Sequence, residues 1–153
     1  ITATKVAQYF LTRKELTPKK LQKLVYYAYA WFVALNNDSA DDIKNVLFAE
    51  VPQAWVHGPV FPSLFREYRE YGWNEVKKLK GRIKFANDDV QALLEVIWSK
   101  FGGYSADELE AMTHNELPWR EARAGVPFLA PSDKELSLST IFTYYNELSE
   151  KAV

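Results

Sequence analysis

The 153-residue sequence contains no cysteine. Disulfides, thiolate metal sites and cysteine nucleophiles are excluded, and the composition fits a reducing compartment. Histidine is nearly as scarce, with only His57 and His114 present. A zinc site would need both rings and several carboxylates, yet there is no HExxH and no histidine pair at helical spacing. Glycine numbers 6, and neither GxxxxGK[ST] nor GxGxxG occurs, so no phosphate cradle is expected. GxSxG is missing too, which removes the serine elbow of the hydrolases. The longest apolar run, Leu24 to Leu35, has twelve residues, whereas a membrane span needs about 18. The opening ITATKVAQYF lacks the basic, apolar and small-residue order of a secretory leader. These absences point to a cytoplasmic protein with no cofactor, no metal and no membrane partner.

Aromatic residues are abundant: 5 Trp, 9 Tyr and 9 Phe make up 15% of the chain. Each large ring buries on the order of 150–250 Å². Most must build the core, and the remainder suit an interface. The length fits one domain over residues 1–153, with a hydrophobic core of its own. Net charge is −1, but it is unevenly spread. Residues 1–23 carry six basic groups against Glu15, and Lys77, Lys78, Lys80, Arg82 and Lys84 form a stretch with no acid. Such stretches are either solvated surface or a docking site for an acidic protein or nucleic acid.

The pattern predicts a mainly α fold, one compact helical domain with a small β element around residues 47–57. A first helix is expected over about 4–12. Thr17-Pro18 is a start signal, Thr as N-cap and Pro at the first helical position. The helix that follows is apolar on all sides, as a central core helix must be, and should stop at Asn36-Asn37-Asp38-Ser39. Residues 47–57 lack a helical period, and two short extended pieces around Pro52 are expected, with a turn at His57-Gly58-Pro59. Phe61, Leu64, Phe65, Tyr68 and Tyr71 recur at helical steps before Gly72. Asn87 caps the next helix, and Ser105 with Glu108 has capping-box spacing. Pro118 opens a short helix that Gly125 closes. Residues 126–136 read as loop, and Ser137 caps a last helix with its stripe at Leu138, Ile141, Phe142, Tyr145 and Leu148.

Few residues carry chemistry. His57 either fixes a turn by bonding backbone or acts as an acid–base or contact group. His114 is expected near a helix end, where it suits the dipole. Ser63 is read as a capping hydroxyl. LTPKKLQKL looks like the start of a helix-turn-helix, but a recognition helix needs polar side chains for base edges. This one is apolar from Leu24, so nucleic acid is not an expected partner.

LTPKKLQKLVYYAYAWF, QAWVHGPVFPSLFREYREYG, GYSADELEAMTHNELPWREAR and LSTIFTYY occur in that order. The series resembles the Panacea domain, the family of phage-associated, SocA-like antitoxins, from about Val6 to Tyr145. The matching residues are Leu16, Pro18, Leu21, Gln22, Lys23, Trp55, His57, Gly58, Pro59, Tyr68, His114, Glu116, Pro118 and Trp119. The resemblance implies the antitoxin of a type II toxin–antitoxin system. Such a protein is not an enzyme and binds a cognate toxin encoded by an adjacent gene. Related members are adaptors that deliver a toxin to a protease, and an enzyme that reverses a toxin's modification is a further alternative. Tyr71, Trp73, Lys77, Lys78, Lys80 and Arg82 are the candidate partner contacts, being aromatic or basic residues outside the matching set.

Overall fold

The computed structural model describes residues 1–151. Its first two helices are α1 (Ala3–Leu11) and α2 (Pro18–Leu35), followed by strands β1 (Gln53–Trp55) and β2 (Gly58–Val60). Then come α3 (Pro62–Tyr68), a 3-10 turn (Arg69–Tyr71), α4 (Asp88–Phe101), α5 (Ala106–His114), α6 (Leu117–Ala122) and α7 (Leu138–Lys151). The fold is mainly α, as the periodicity predicts.

Helix α2 is the axis of the fold. The Thr17 hydroxyl accepts the Lys20 N–H and Pro18 occupies the first turn, so a free N–H is satisfied and a missing one does no harm. From Leu21 to Ala30 every residue is buried, because α1, α3, α4, α5, α7 and β2 all pack on it. That surround is why the helix needs no polar face. Tyr27 stacks flat on Phe101 of α4, with ring centroids 4.3 Å apart. The Ser105–Glu108 capping box and the Asn87 cap both form as predicted, since each depends only on neighbours three residues away or fewer. Ser137 accepts the Thr140 N–H at the start of α7.

Three elements depart from the sequence expectation. The hairpin lies further along than 47–57. Gln53 pairs with Val60, Ala54 with Pro59 and Trp55 with Gly58, so the chain reverses at Val56-His57, one residue ahead of the expected His57-Gly58-Pro59 turn, and Pro52 precedes the strands and does not divide them. The Pro52 carbonyl instead accepts Leu136 N–H, and the Ala54 N–H donates to Lys134 O. Residues 134–136 therefore lie along the free edge of β1, although alone they read as loop. Second, the stripe of α3 is interrupted. Phe61, Leu64 and Tyr68 are buried, whereas Phe65 and Tyr71 are 42% and 38% exposed. The helix tightens into the 3-10 turn at Arg69, where the chain leaves the core, and the Tyr71 ring rests 6.4 Å from that of Tyr68 on its outer side. Third, Ser63 is not the cap of α3. The N-cap is Phe61, without a side-chain bond, and the Glu50 carboxylate accepts both the Ser63 N–H and its hydroxyl.

Candidate functional site

The β-hairpin buries Ala54 and Val60, and its backbone is tied to the helices largely by side chains that carry the family resemblance. Gln22, buried on α2, donates its amide to Phe61 O at 3.0 Å and accepts the Phe61 N–H at 2.9 Å. One carboxamide thus satisfies both polar groups of the residue joining β2 to α3. The next residue, Lys23, donates from Nζ to Pro59 O at 3.1 Å. The Trp119 indole donates to Trp55 O at 2.8 Å, and His114 has a backbone hydrogen bond with Val56. The His114 ring stacks on Trp119 with centroids 3.9 Å apart. Burial lowers its pKa despite the Val56 bond and the nearby Glu110 charge.

Arg123 completes the anchoring. It is 6% exposed, donates to Ala54 O at 3.0 Å, and reaches Pro127, Phe128 and Ala130 carbonyls with its other terminal nitrogen. A single guanidinium fork thereby ties β1 to the 126–131 segment.

Gly58 is required twice over. Its φ is +111°, and a Cβ there would sit 2.6 Å from Lys23 Cε and 2.9 Å from Thr113 Oγ1. Gly58→Ala is expected to cost about 2–3 kcal/mol, from backbone strain together with overpacking. Thermal or urea unfolding would measure it, and a cost under about 0.5 kcal/mol, the scale of an ordinary surface change, would contradict the close packing.

One turn further along α2, Glu116 accepts the Tyr27 hydroxyl at 2.8 Å and the Tyr145 hydroxyl at 3.0 Å. The Tyr145 and Tyr26 oxygens are 2.9 Å apart. Desolvation pushes the Glu116 carboxyl up to about 7, although both tyrosine bonds oppose it. This cluster joins α2, α7 and the approach to α6, and it is internal to the fold.

The hairpin, α2 and α3 enclose a groove of about 370 Å³, lined by Pro18, Lys19, Gln22, Lys23, Trp55, His57, Val60, Leu64, Phe65, Arg69, Gly72 and Trp73. Its walls are mostly apolar: Trp55 meets Phe65 edge to face at 4.9 Å. Trp73, 80% exposed, stands on the lip. Lys23 is 1% exposed, and burial pushes its pKa down to about 7, against the pull of Glu110. His57 is not a backbone clamp. Its Nδ1 lies 3.1 Å from Glu110 Oε1, and its side chain is 60% exposed. Lys19 bridges the Asp107 and Glu110 carboxylates. Burial alone would raise the Glu110 pKa, but the bonds from Lys19 and His57 outweigh it and leave it lowered.

The structure therefore sorts the sequence candidates into groups. Pro18, Gln22, Lys23, Trp55 and His57 meet at the groove, with Trp73 beside them. Gly58, Pro59, His114 and Trp119 lie behind it as supports, and Tyr68 is a core residue. Pro118 is a buried first-turn proline, and Glu116 belongs to the tyrosine cluster. Tyr71, Lys77, Lys78, Lys80 and Arg82 are exposed and do not line the groove. Sequence reading passed over Glu110 and Arg123, because Glu110 meets His57 and Lys19, and Arg123 meets Ala54, only across long stretches of chain. Among the described residues no group of three or more His, Asp or Glu is placed to hold a metal ion, and no helix is long and apolar enough to cross a membrane.

A helical domain that fixes a short hairpin by its backbone and leaves a preformed groove beside it is the class these features define. A family model described as antitoxin SocA-like, Panacea domain, matches residues 21–120, well over half of the chain. The chain belongs to the SocA-like antitoxin, Panacea-domain family. The matched span is shorter than 6–145 and leaves Leu16, Pro18, α1 and α7 outside it. Neither the comparison with curated proteins nor that with solved structures gives a match.

Proposed function

We propose that this protein is the antitoxin of a type II toxin–antitoxin pair and neutralises a cognate toxin by direct binding, with the groove face as its docking surface. One observation carries the reading: residues of the family span, Gln22, Lys23, Trp55 and His57, converge on a single groove whose lip presents an exposed tryptophan. Binding energy at protein interfaces concentrates in a few aromatic and arginine anchors seated in pockets. Trp73, Phe65 and Arg69 are residues of that kind. The supporting residues hold the groove in shape before a partner arrives, which limits the ordering cost of association.

The deciding experiment co-expresses the chain with the product of the neighbouring gene and scores growth and co-purification together. Rescue with a stable complex supports neutralisation by binding. Rescue with disappearance of the toxin, dependent on a protease, would replace it by delivery to that protease. Rescue with a chemically altered toxin, lost in His57→Gln while the complex survives, would make the protein an enzyme.

Trp73→Ala is expected to weaken the complex by at least about tenfold, as loss of an anchor does. Unfolding stability should stay within about 0.5 kcal/mol of the parent, as for a surface change. A titration of the complex and a melt of the free protein check both halves.

A further inference from the structure

We propose that the groove and a basic band beside it form one docking surface for a segment of the partner protein that carries an aromatic anchor followed by acidic residues. The proposal rests on the reading of the chain as a protein-binding antitoxin and adds the chemistry of the segment it holds.

The groove alone is small for a stable interface, which buries about 800 Å² on each partner. The contact must extend beyond it, and the backbone shows where. Pro18 and Trp73 both line the groove. Just outside it the chain segments leading to these two residues run side by side. Val76 N–H donates to Leu16 O at 2.7 Å, Leu16 N–H to Val76 O at 3.2 Å, and Leu79 N–H to Leu11 O at 2.9 Å. These bonds set Arg13 and Lys14 beside Lys77, Lys78 and Lys80, all exposed. Two basic stretches far apart in sequence thus become one band that starts at the Trp73 end of the groove. Among the described residues none of the five is in an ion pair. Glu15 and Glu75 are the acids within these segments.

The charges sort the possible occupants. No carboxylate lines the groove, while the Arg69 guanidinium does. The Lys19 charge is already answered by Asp107 and Glu110. An apolar side chain with a negative flank therefore fits, and a basic flank meets like charge along the band. Trp55 and Phe65 meet edge to face, an arrangement that seats one side chain and offers no pair of parallel faces for stacked bases. Val76 lies three residues beyond Trp73. An extended segment rises about 3.3 Å per residue, so the acids should fall roughly three to six residues from the anchor.

The test is selection of displayed random peptides on the full chain. The expected consensus is an aromatic residue with acids a few positions away. A synthetic peptide of that consensus should bind at least about tenfold more weakly to Trp73→Ala and to the double variant Lys77→Glu, Lys78→Glu. Its affinity should be unchanged for Lys44→Glu, in the loop after α2. A consensus without acids, or binding indifferent to the first two variants, overturns the proposal. So does oligouridylate that binds the parent, with no peptide selected, and is lost in the lysine double variant, which would make the band a nucleic-acid site. Growth rescue is scored separately. Rescue with failed selection removes the docking assignment and leaves the antitoxin reading, and selection with failed rescue does the reverse.

Discussion

Arg123→Ala is expected to lower the unfolding free energy by about 4 kcal/mol. Arg123 is 6% exposed, and its guanidinium donates to four backbone carbonyls, those of Ala54, Pro127, Phe128 and Ala130, at 2.7–3.2 Å. A hydrogen bond to a charged group contributes about 1.5–3 kcal/mol, and a buried carbonyl left without a donor costs about 1–3 kcal/mol. The four bonds share one group and the loop carbonyls regain water, so the sum is well short of additive. Arg123 also lies over the Trp119 ring, its central carbon 5.4 Å from the centroid, and that contact is lost as well. Arg123→Lys should recover less than half, because one ammonium does not span the strand and the loop as the planar fork does. Urea unfolding gives the free energies. Amide exchange should show faster exchange across residues 126–136, where Leu136 pairs with Pro52. A loss under about 1 kcal/mol, the size of one ordinary hydrogen bond, would show that the fork does not hold the hairpin.

Lys23 leads to a pH dependence of comparable size. In the unfolded chain its ammonium keeps the ordinary value of 10.5, and in the folded protein burial pushes it down to about 7. Between those values the unfolded state binds the proton and the folded state has released it. Stability therefore rises with pH across this window and falls as pH drops through about 7. The slope is about 1.4 kcal/mol per pH unit, for a total on the order of 4–5 kcal/mol. Lys23→Met keeps the length of the side chain and removes the charge. The difference in stability between parent and variant should grow in favour of the parent from pH 7 to 10, since the other titrating groups cancel in the subtraction. Glu116 works in the other direction. Its folded value is raised from 4.5 to about 7, so its contribution is complete below pH 4.5 and is lost as pH rises through about 7. Glu116→Gln should remove that acid-side limb and leave the alkaline one. A parent-minus-Lys23→Met difference that stays flat across the window would mean that the ammonium remains charged in the folded protein.

Both predictions concern residues that hold the hairpin against α2 and α6, and they separate the support of the groove from its surface. Lys23 and Arg123 alter stability through buried bonds. Trp73, on the lip, alters only what the groove can hold.

What the sequence determined by itself is the set of interactions closed within one turn of chain. Thr17-Pro18, Asn87, the Ser105–Glu108 box and Ser137 all act on groups at most three residues away, so they are present in the sequence as patterns. The twelve apolar residues from Leu24 identified the central helix for a similar reason: a segment with no polar face has to be surrounded. The order of family motifs was legible too, and with it the family. Everything that depends on which elements meet was decided by the tertiary structure. The turn near His57 was legible, but the extended pieces expected on either side of Pro52 lie on either side of Val56-His57, because Gln22, Lys23 and Arg123 grip the backbone of residues 54, 59 and 61. Glu50 replaced Ser63 as the donor-satisfying group of α3 from thirteen residues away. The groove required α2, the hairpin and α3 to come together, and the single basic band required Leu16 to pair with Val76. Such contacts join residues with no local relation, and their energy exists only once the core has brought the partners within bonding distance.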